Sequence, residues 1–246
     1  MDKLKMAACG VNCNVMSLRT RPKVGPMKTI AVLAAMGMEA APLIKRMEGA
    51  RPERAAGRRF LRGTIGQAEV VLHTCGMGMR KAARGAKALI KNYQPDVIIN
   101  YGVSGGLAPG MEVGDTVVAL SSCPASGKAY RTEGAVATDE RLTDFAVRVL
   151  PGVKKGPAAT SLGIILSKKR KARLVAKSGA VCVDMETYAI AKVSRELGTS
   201  LLVIRCMSDT VEPASLLSFL KNGAMAAGKV AAETERVIKA LMEGGL

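Results

Sequence analysis

Two carboxylates flank a methionine in VDMETYAIAKV, residues 183–193, where the apolar run GAVCV gives way to a helical pattern; they are Asp184 and Glu186. A third acid, Asp209, follows a serine in SDTVEP (208–213), and a fourth, Glu39, lies in AAMGMEAAPL. Acids at such junctions either cap a helix and complement its dipole, or project into a cleft where they accept hydrogen bonds and move protons. If residues 185–197 are helical, Glu186 shares a face with Ile190, Val193 and Leu197, and that face is the apolar one. Burying an unpaired acid is costly, which favours a functional role for Glu186. Asp184, just before the helix, fits a cap as well as a functional group. Asp209, after a strand and before a helix, fits an N-cap equally, and the dipole alone would account for Glu39 in a first helical turn.

The elements that position these acids alternate. From Met27 onward, β-rich runs are predicted at 29–35, 58–65, 68–74, 96–102, 115–122, 159–166, 180–183 and 200–207, with helices over 38–47, 79–92, 139–149, 168–178, 185–197 and 213–242. This alternation implies an α/β fold with largely parallel strands. The notable polar residues come just after strands: Glu39 after the first, the glycines of GVSGGLAPG (102–110) after DVIIN, Asp184 and Glu186 after AVCV, and Ser208 with Asp209 after LLVIRCM. In open α/β sheets the ligand crevice lies beyond the carboxyl ends of the strands, so four segments point to one place. The glycine loop by itself is weak evidence for phosphate binding. The lone His73, in AEVVLHT, reads as a strand-end residue rather than a catalyst.

Composition narrows the class. A chain of 246 residues, 48% of them hydrophobic, suffices for one large α/β domain over 27–246. Its apolar runs are strand-sized, short of the roughly 20 residues that span a bilayer. The six cysteines form no CxxC pair and no zinc-ligand spacing, which indicates neither a disulfide framework nor a metal site and fits a reducing cytoplasm. The net charge of +17 would suit a polyanion, but part of it sits in an aperiodic N-terminal stretch and part in SKKRKARLVAK (167–177), which reads as a solvated helix face. With 3% aromatic residues there is no base-stacking platform, and no nucleic-acid partner is expected. Residues 1–26 read as a disordered basic arm or an upstream extension ahead of Met27, without the apolar run of a secretory signal.

Four blocks, MKTIAVLAAMGMEAAPL, GMGMRKAARGAKALI, PDVIINYGVSGGLAPGMEVGDTVV, and VDMETYAIAKV followed by IRCMSDT, together resemble the purine nucleoside phosphorylase and nucleosidase superfamily. The similarity is strongest to its methylthioadenosine/S-adenosylhomocysteine nucleosidase branch. It implies a three-layer α/β/α fold around a twisted, mostly parallel mixed sheet, cleavage of the bond between a purine and ribose without metal or cofactor, and a homo-oligomer. An oxocarbenium-like transition state needs a protonated leaving base, a carboxylate on the ribose hydroxyls and an activated nucleophile. By this resemblance Asp209 protonates the purine N7 with Ser208 orienting it, Glu186 grips the ribose hydroxyls, Met185 packs on the sugar and Glu39 activates water. Arg205 braces the acids, and Asp184, Ser104, Gly105 and Ile164 belong to the substrate site.

Departures from the family pattern bear on nucleophile and substrate. Where phosphorylases carry an arginine ahead of the glycine loop and a hydroxyl within it, this chain has Asn100 and Val103, so water is favoured over phosphate; Ser104 and Arg80 are the remaining candidates for an anion. The segment that usually brings an aromatic onto the purine reads SLGIIL, which puts Gly163 or Ile164 there and replaces stacking by aliphatic packing. GAVCVDMET is also similar to the hopanoid-associated branch that removes adenine from a lipid-linked nucleoside, and futalosine hydrolase is a further relative.

Overall fold

The computed structural model describes residues 27–125, 134–165, 167–210 and 216–244, with the side chains of 216–220 outside the description; residues 1–26, read above as a basic arm, also lie outside it. The elements run β1 (Thr29–Ala34), α1 (Gly37–Ile44), β2 (Glu48–Ala55), β3 (Arg58–Ile65), β4 (Ala68–Thr74), α2 (Met79–Tyr93), β5 (Val97–Gly106), β6 (Thr116–Ala125), β7 (Val136–Ala137), α3 (Glu140–Val149), β8 (Lys154–Ser161), α4 (Lys168–Ser178), β9 (Cys182–Asp184), α5 (Thr187–Glu196), β10 (Ser200–Asp209) and α6 (Leu216–Met242).

Side-chain alternation along β1 shows how the layers form. Ile30, Val32 and Ala34 turn to one face and join Leu43 of α1, Phe145 of α3 and Val230 of α6; Ala31 and Leu33 turn to the other and join Ala86 and Leu89 of α2 and Ile190 of α5. A strand buried on both faces reads as a continuous apolar run, as TIAVLA does. The sheet is therefore sandwiched between helices, the three-layer α/β/α arrangement. A smaller third cluster, including Cys123, Ala159, Ile165, Leu174 and Val183, seats α4 against β8 and β9.

The sheet runs β2-β3-β4-β1-β5-β10-β6-β8-β9, and β9 returns to pair with β5. Length makes this possible: the first residues of the ten-residue β5 pair with β1, while Gly105 and Gly106 at its end pair with Val183 and Cys182 of β9. Strands β5, β10, β6, β8 and β9 thus close into a ring. Among the described residues five pairings are parallel and five antiparallel, more antiparallel pairing than strand–helix alternation implies.

Two elements differ from the sequence expectation for physical reasons. Strand β8 spans 154–161 rather than 159–166, because it is held by its register with β6, Val117 opposite Lys154 through Ala125 opposite Ser161; Leu162 and Ile164 then fall outside it and are exposed. Strand β2, EGARPERA, was not expected at all, since it is an exposed edge strand with no apolar alternation, paired among the described residues only with β3. The helix expected at 185–197 is shorter, beginning at Thr187, so Glu186 occupies its cap position rather than its first turn.

Candidate active site

Beyond the carboxyl ends of β1, β5, β9 and β10 lies a cavity of about 260 Å³. Its wall includes Glu39, Ser104, Gly105, Ile164, Asp184, Met185, Glu186, Ser208 and Asp209, so nine of the ten site residues expected from sequence converge on it; Arg205 lies behind. The structure corrects their placement in one respect. Asp184 and Asp209 are the last residues of their strands, and Gly105 and Ser208 the next to last, rather than residues beyond them.

At one end three carboxylates gather around one guanidinium. Glu39 is 2% exposed; its Oε2 accepts from the backbone N–H of Ala35 and Met36 at 3.0 and 2.8 Å, and its Oε1 from Val103 N–H at 2.9 Å. Burial nonetheless raises its pKa, against the lowering effects of those amides and Arg205. Asp184 lies just ahead of α5, its side chain accepting from the N–H groups of Glu186 and Thr187 at 3.1 Å each and from Arg205 Nε at 2.9 Å, so it both satisfies the helix start and lines the cavity. Glu186 accepts from Gly78 N–H at 2.7 Å and Met185 N–H at 3.3 Å, and burial followed by the charge of Asp184 pushes its pKa up to about 7.

The guanidinium of Arg205 is 1% exposed and also donates to the side-chain oxygens of Asn100 and Thr187. Burial alone opposes its charge, but Asp184, Glu186 and Glu39 outweigh that and raise its pKa. Gly102 permits the assembly, because a Cβ there would collide with Glu39 Oε1 and lie 2.8 Å from Arg205 Nη1. Asn100 is committed to the same network, donating to the Leu33 carbonyl at 3.0 Å.

The other end is simpler. Asp209 Oδ2 accepts from Lys171 Nζ at 2.7 Å, and Lys171 also donates to the Thr210 carbonyl at 2.7 Å. Ser208 is fully buried, its hydroxyl donating to the Ser104 carbonyl at 3.4 Å, and the Ser104 hydroxyl donates to Met207 Sδ at 3.6 Å. Sequence reasoning missed Lys171 by treating 167–177 as a solvated face. The available signal was spacing: Lys171 precedes Leu174 by three, and both turn inward from a helix whose Lys168, Lys169, Arg170 and Arg173 are exposed.

Between the two ends the wall is apolar, with Met36, Met77, Val103, Ile164, Ile165 and Met185 and, among the described residues, no aromatic side chain. Such a cavity takes a flat or aliphatic body with a hydroxyl-bearing group at the Glu186 end and a proton acceptor near Asp209. Arg80 is exposed and is not part of the wall, which removes it as an anion ligand there. Among the described residues no group of three or more His, Cys, Asp or Glu side chains is arranged to hold a metal ion.

His73 and the described cysteines stand apart from this chemistry. His73 packs on Phe60, with Nδ1 2.8 Å from the Arg59 carbonyl, and burial lowers its pKa. Burial pushes the thiols of Cys75 and Cys182 up to about 12 and that of Cys206 to about 11, leaving them protonated and inert near neutral pH.

Comparison with known proteins places the chain in a family. The sequence model of the phosphorylase superfamily matches residues 29–239. The chain is 34% identical over 205 residues to the 5′-methylthioadenosine/S-adenosylhomocysteine nucleosidase of Geobacillus kaustophilus (strain HTA426), covering 77% of this chain and 87% of that one. It is 32% identical over 206 residues to the enzyme of the same name from Bacillus subtilis (strain 168), covering 77% and 89%. Among solved structures, the Neisseria meningitidis nucleosidase in complex with methylthio-immucillin-A superposes with a TM-score of 0.81 at 26% identity, over 87% of this chain and all of that one. The S. pneumoniae nucleosidase with a transition-state inhibitor gives 0.80 at 26% identity, over 87% and 99%.

Proposed function

The chain belongs to the phosphorylase superfamily, together with its methylthioadenosine/S-adenosylhomocysteine nucleosidases, and from that membership we propose that it hydrolyses the N-glycosidic bond of a purine nucleoside of that type and releases the base. The observation that carries the reading is the convergence of Glu39, Glu186 and Asp209, distant in sequence, on one cavity of nucleoside size.

In this reaction Asp209 supplies the proton that makes the purine a neutral leaving group. Glu186, held by the Gly78 amide, accepts from the ribose hydroxyls and stabilises the positive charge that grows on the sugar. Met185 packs against the ribose, and Glu39 takes the proton of the attacking water. The raised pKa of Glu39 suits that task, because a base that gains a proton during turnover works best when its affinity for protons is raised. Arg205 balances Asp184, Glu186 and Glu39 without reaching the substrate. The enzyme works in the cytoplasm as a homo-oligomer.

Water is the nucleophile. Lys171 is the sole cationic side chain in the described wall, and it is engaged with Asp209. Phosphate arriving near Glu39 would meet a carboxylate, with Asn100 committed to Arg205. Release of adenine from methylthioadenosine, followed by absorbance, is expected at the same rate with and without added phosphate. A rate that depends on phosphate would make the enzyme a phosphorylase.

A further inference from the structure

Lys171 raises a question that the hydrolytic reading leaves unanswered. Its four-carbon stem is long enough to carry the ammonium to solvent, as lysines on apolar surfaces commonly do. Instead the side chain is 1% exposed and ends on the carboxylate of the acid that must protonate the base. Taking an ammonium out of water costs several kcal/mol even when it is paired. The pair also sets a chemical problem, because a carboxylate held against a cation is the ionised form, and an ionised Asp209 has no proton to give.

We infer that Lys171 is the proton source for Asp209, a positioning and relay residue whose role rests on the hydrolysis proposed above. A proton moves from Lys171 Nζ to the Asp209 carboxylate, leaving a neutral amine beside a carboxylic acid. The acid passes a proton to the purine as the bond from C1′ to N9 breaks with its electron pair going to the base. Water then adds to the ribosyl cation and gives its proton to Glu39; release of that proton to solvent and uptake of one by the amine restore the starting state. The Thr210 carbonyl, 2.7 Å from Nζ, holds the lysine in place through both halves of the cycle. An arginine would anchor the carboxylate equally well but would not surrender a proton, since its guanidinium stays charged.

That difference supplies the test. Wild type, Lys171→Met and Lys171→Arg are assayed across the range from about pH 5 to 10 on methylthioadenosine and on a p-nitrophenyl 5-methylthioriboside, whose phenolate leaves without a proton. Each variant is expected to lose about 100-fold in kcat on the purine nucleoside, within the range for loss of a proton donor. Both should keep the aryl riboside rate to within about threefold, since that leaving group needs no acid. Restoration of purine hydrolysis by Lys171→Arg would overturn the relay. So would equal losses on both substrates with an unchanged unfolding midpoint. If Lys171→Met does not fold, Lys171→Arg, which keeps the cation, carries the test alone. Undiminished purine hydrolysis by Asp209→Asn would instead remove the parent reading of Asp209, an outcome that Lys171 variants do not produce.

Discussion

At the Glu39–Glu186 end of the cavity, three carboxylates share seven backbone N–H groups and one buried guanidinium; at the Asp209 end, one carboxylate faces one ammonium. The first arrangement is a product of the fold. Its donors are main-chain groups of loops and strand ends, so the acids stay in place as long as the sheet does. The second depends on a single side chain of α4. Preorganised backbone donors suit a site that stabilises charge developing in the transition state, whereas a proton donor must change state in every turnover and is better served by a partner that can change with it. The expected consequence is that changes at the Asp209 end injure chemistry and leave the fold, while changes at the other end injure both.

The largest effect should come from Asp209→Asn. The substitution nearly preserves volume and removes the proposed proton donor, so kcat should fall about 10³-fold or more, equivalent to about 4 kcal/mol, with an unfolding midpoint within a few degrees of wild type. A large loss of stability in that variant would erase the contrast between the two ends.

Arg205→Met tests the opposite end. Removing the guanidinium leaves Asp184, Glu186 and Glu39 buried without their shared cation, and breaking a buried pair in this way costs about 3–4 kcal/mol. Chemical denaturation should show that loss even without substrate. A variant as stable as wild type would mean that the seven amides carry the acids unaided.

Glu186 offers a graded version of the same test through pH. Its pKa is raised to about 7 in the folded state, so the native protein binds more protons than the unfolded chain between the usual carboxylate range and pH 7. The contribution is therefore fully present below the unfolded pKa and is lost as pH rises through about 7. A rise of this size corresponds to roughly 3 kcal/mol. Glu39, raised in the same direction, adds to the slope. Urea midpoints measured from about pH 5 to 8 should fall with pH, and Glu186→Gln should flatten most of that fall while weakening ribose recognition. An unchanged slope would mean that Glu186 titrates normally in the folded protein.

The same contrast governs what was legible in the sequence. Glu39, Asp184 and Glu186 announce themselves because acids at strand-to-helix junctions interrupt apolar patterns, and Asp209 because it ends a β-rich run. Those patterns follow from backbone geometry. Lys171 left almost no such trace, since it sits in KKRKARL, where four neighbouring cations mask the one that turns inward; only its spacing to Leu174 distinguishes it. Strand β8 was misplaced by five residues for a related reason: strand limits there depend on pairing with β6, a partner some 37 residues away, rather than on the apolar character of LGIIL. Local chemistry was readable, and long-range pairing was not.

The smallest effect sharpens the comparison at the wall between the two ends. Ile164 lines the cavity while remaining 54% exposed, and by the family resemblance it or Gly163 is expected where an aromatic ring would stack on the purine. That exposure follows from the early end of β8, which leaves Leu162, Gly163 and Ile164 on a turn at the cavity mouth. A turn residue can accept a larger side chain without the overpacking that a core position would suffer. Aromatic contacts add about 0.5–1.5 kcal/mol beyond area burial, so Ile164→Phe should lower KM for methylthioadenosine several-fold with kcat nearly unchanged. The signature of ground-state binding is that split, with no change in the pH profile. If instead kcat falls while KM holds, the added ring is pressing on the Asp209 end, and residue 164 belongs to the proton-transfer machinery rather than to the base platform.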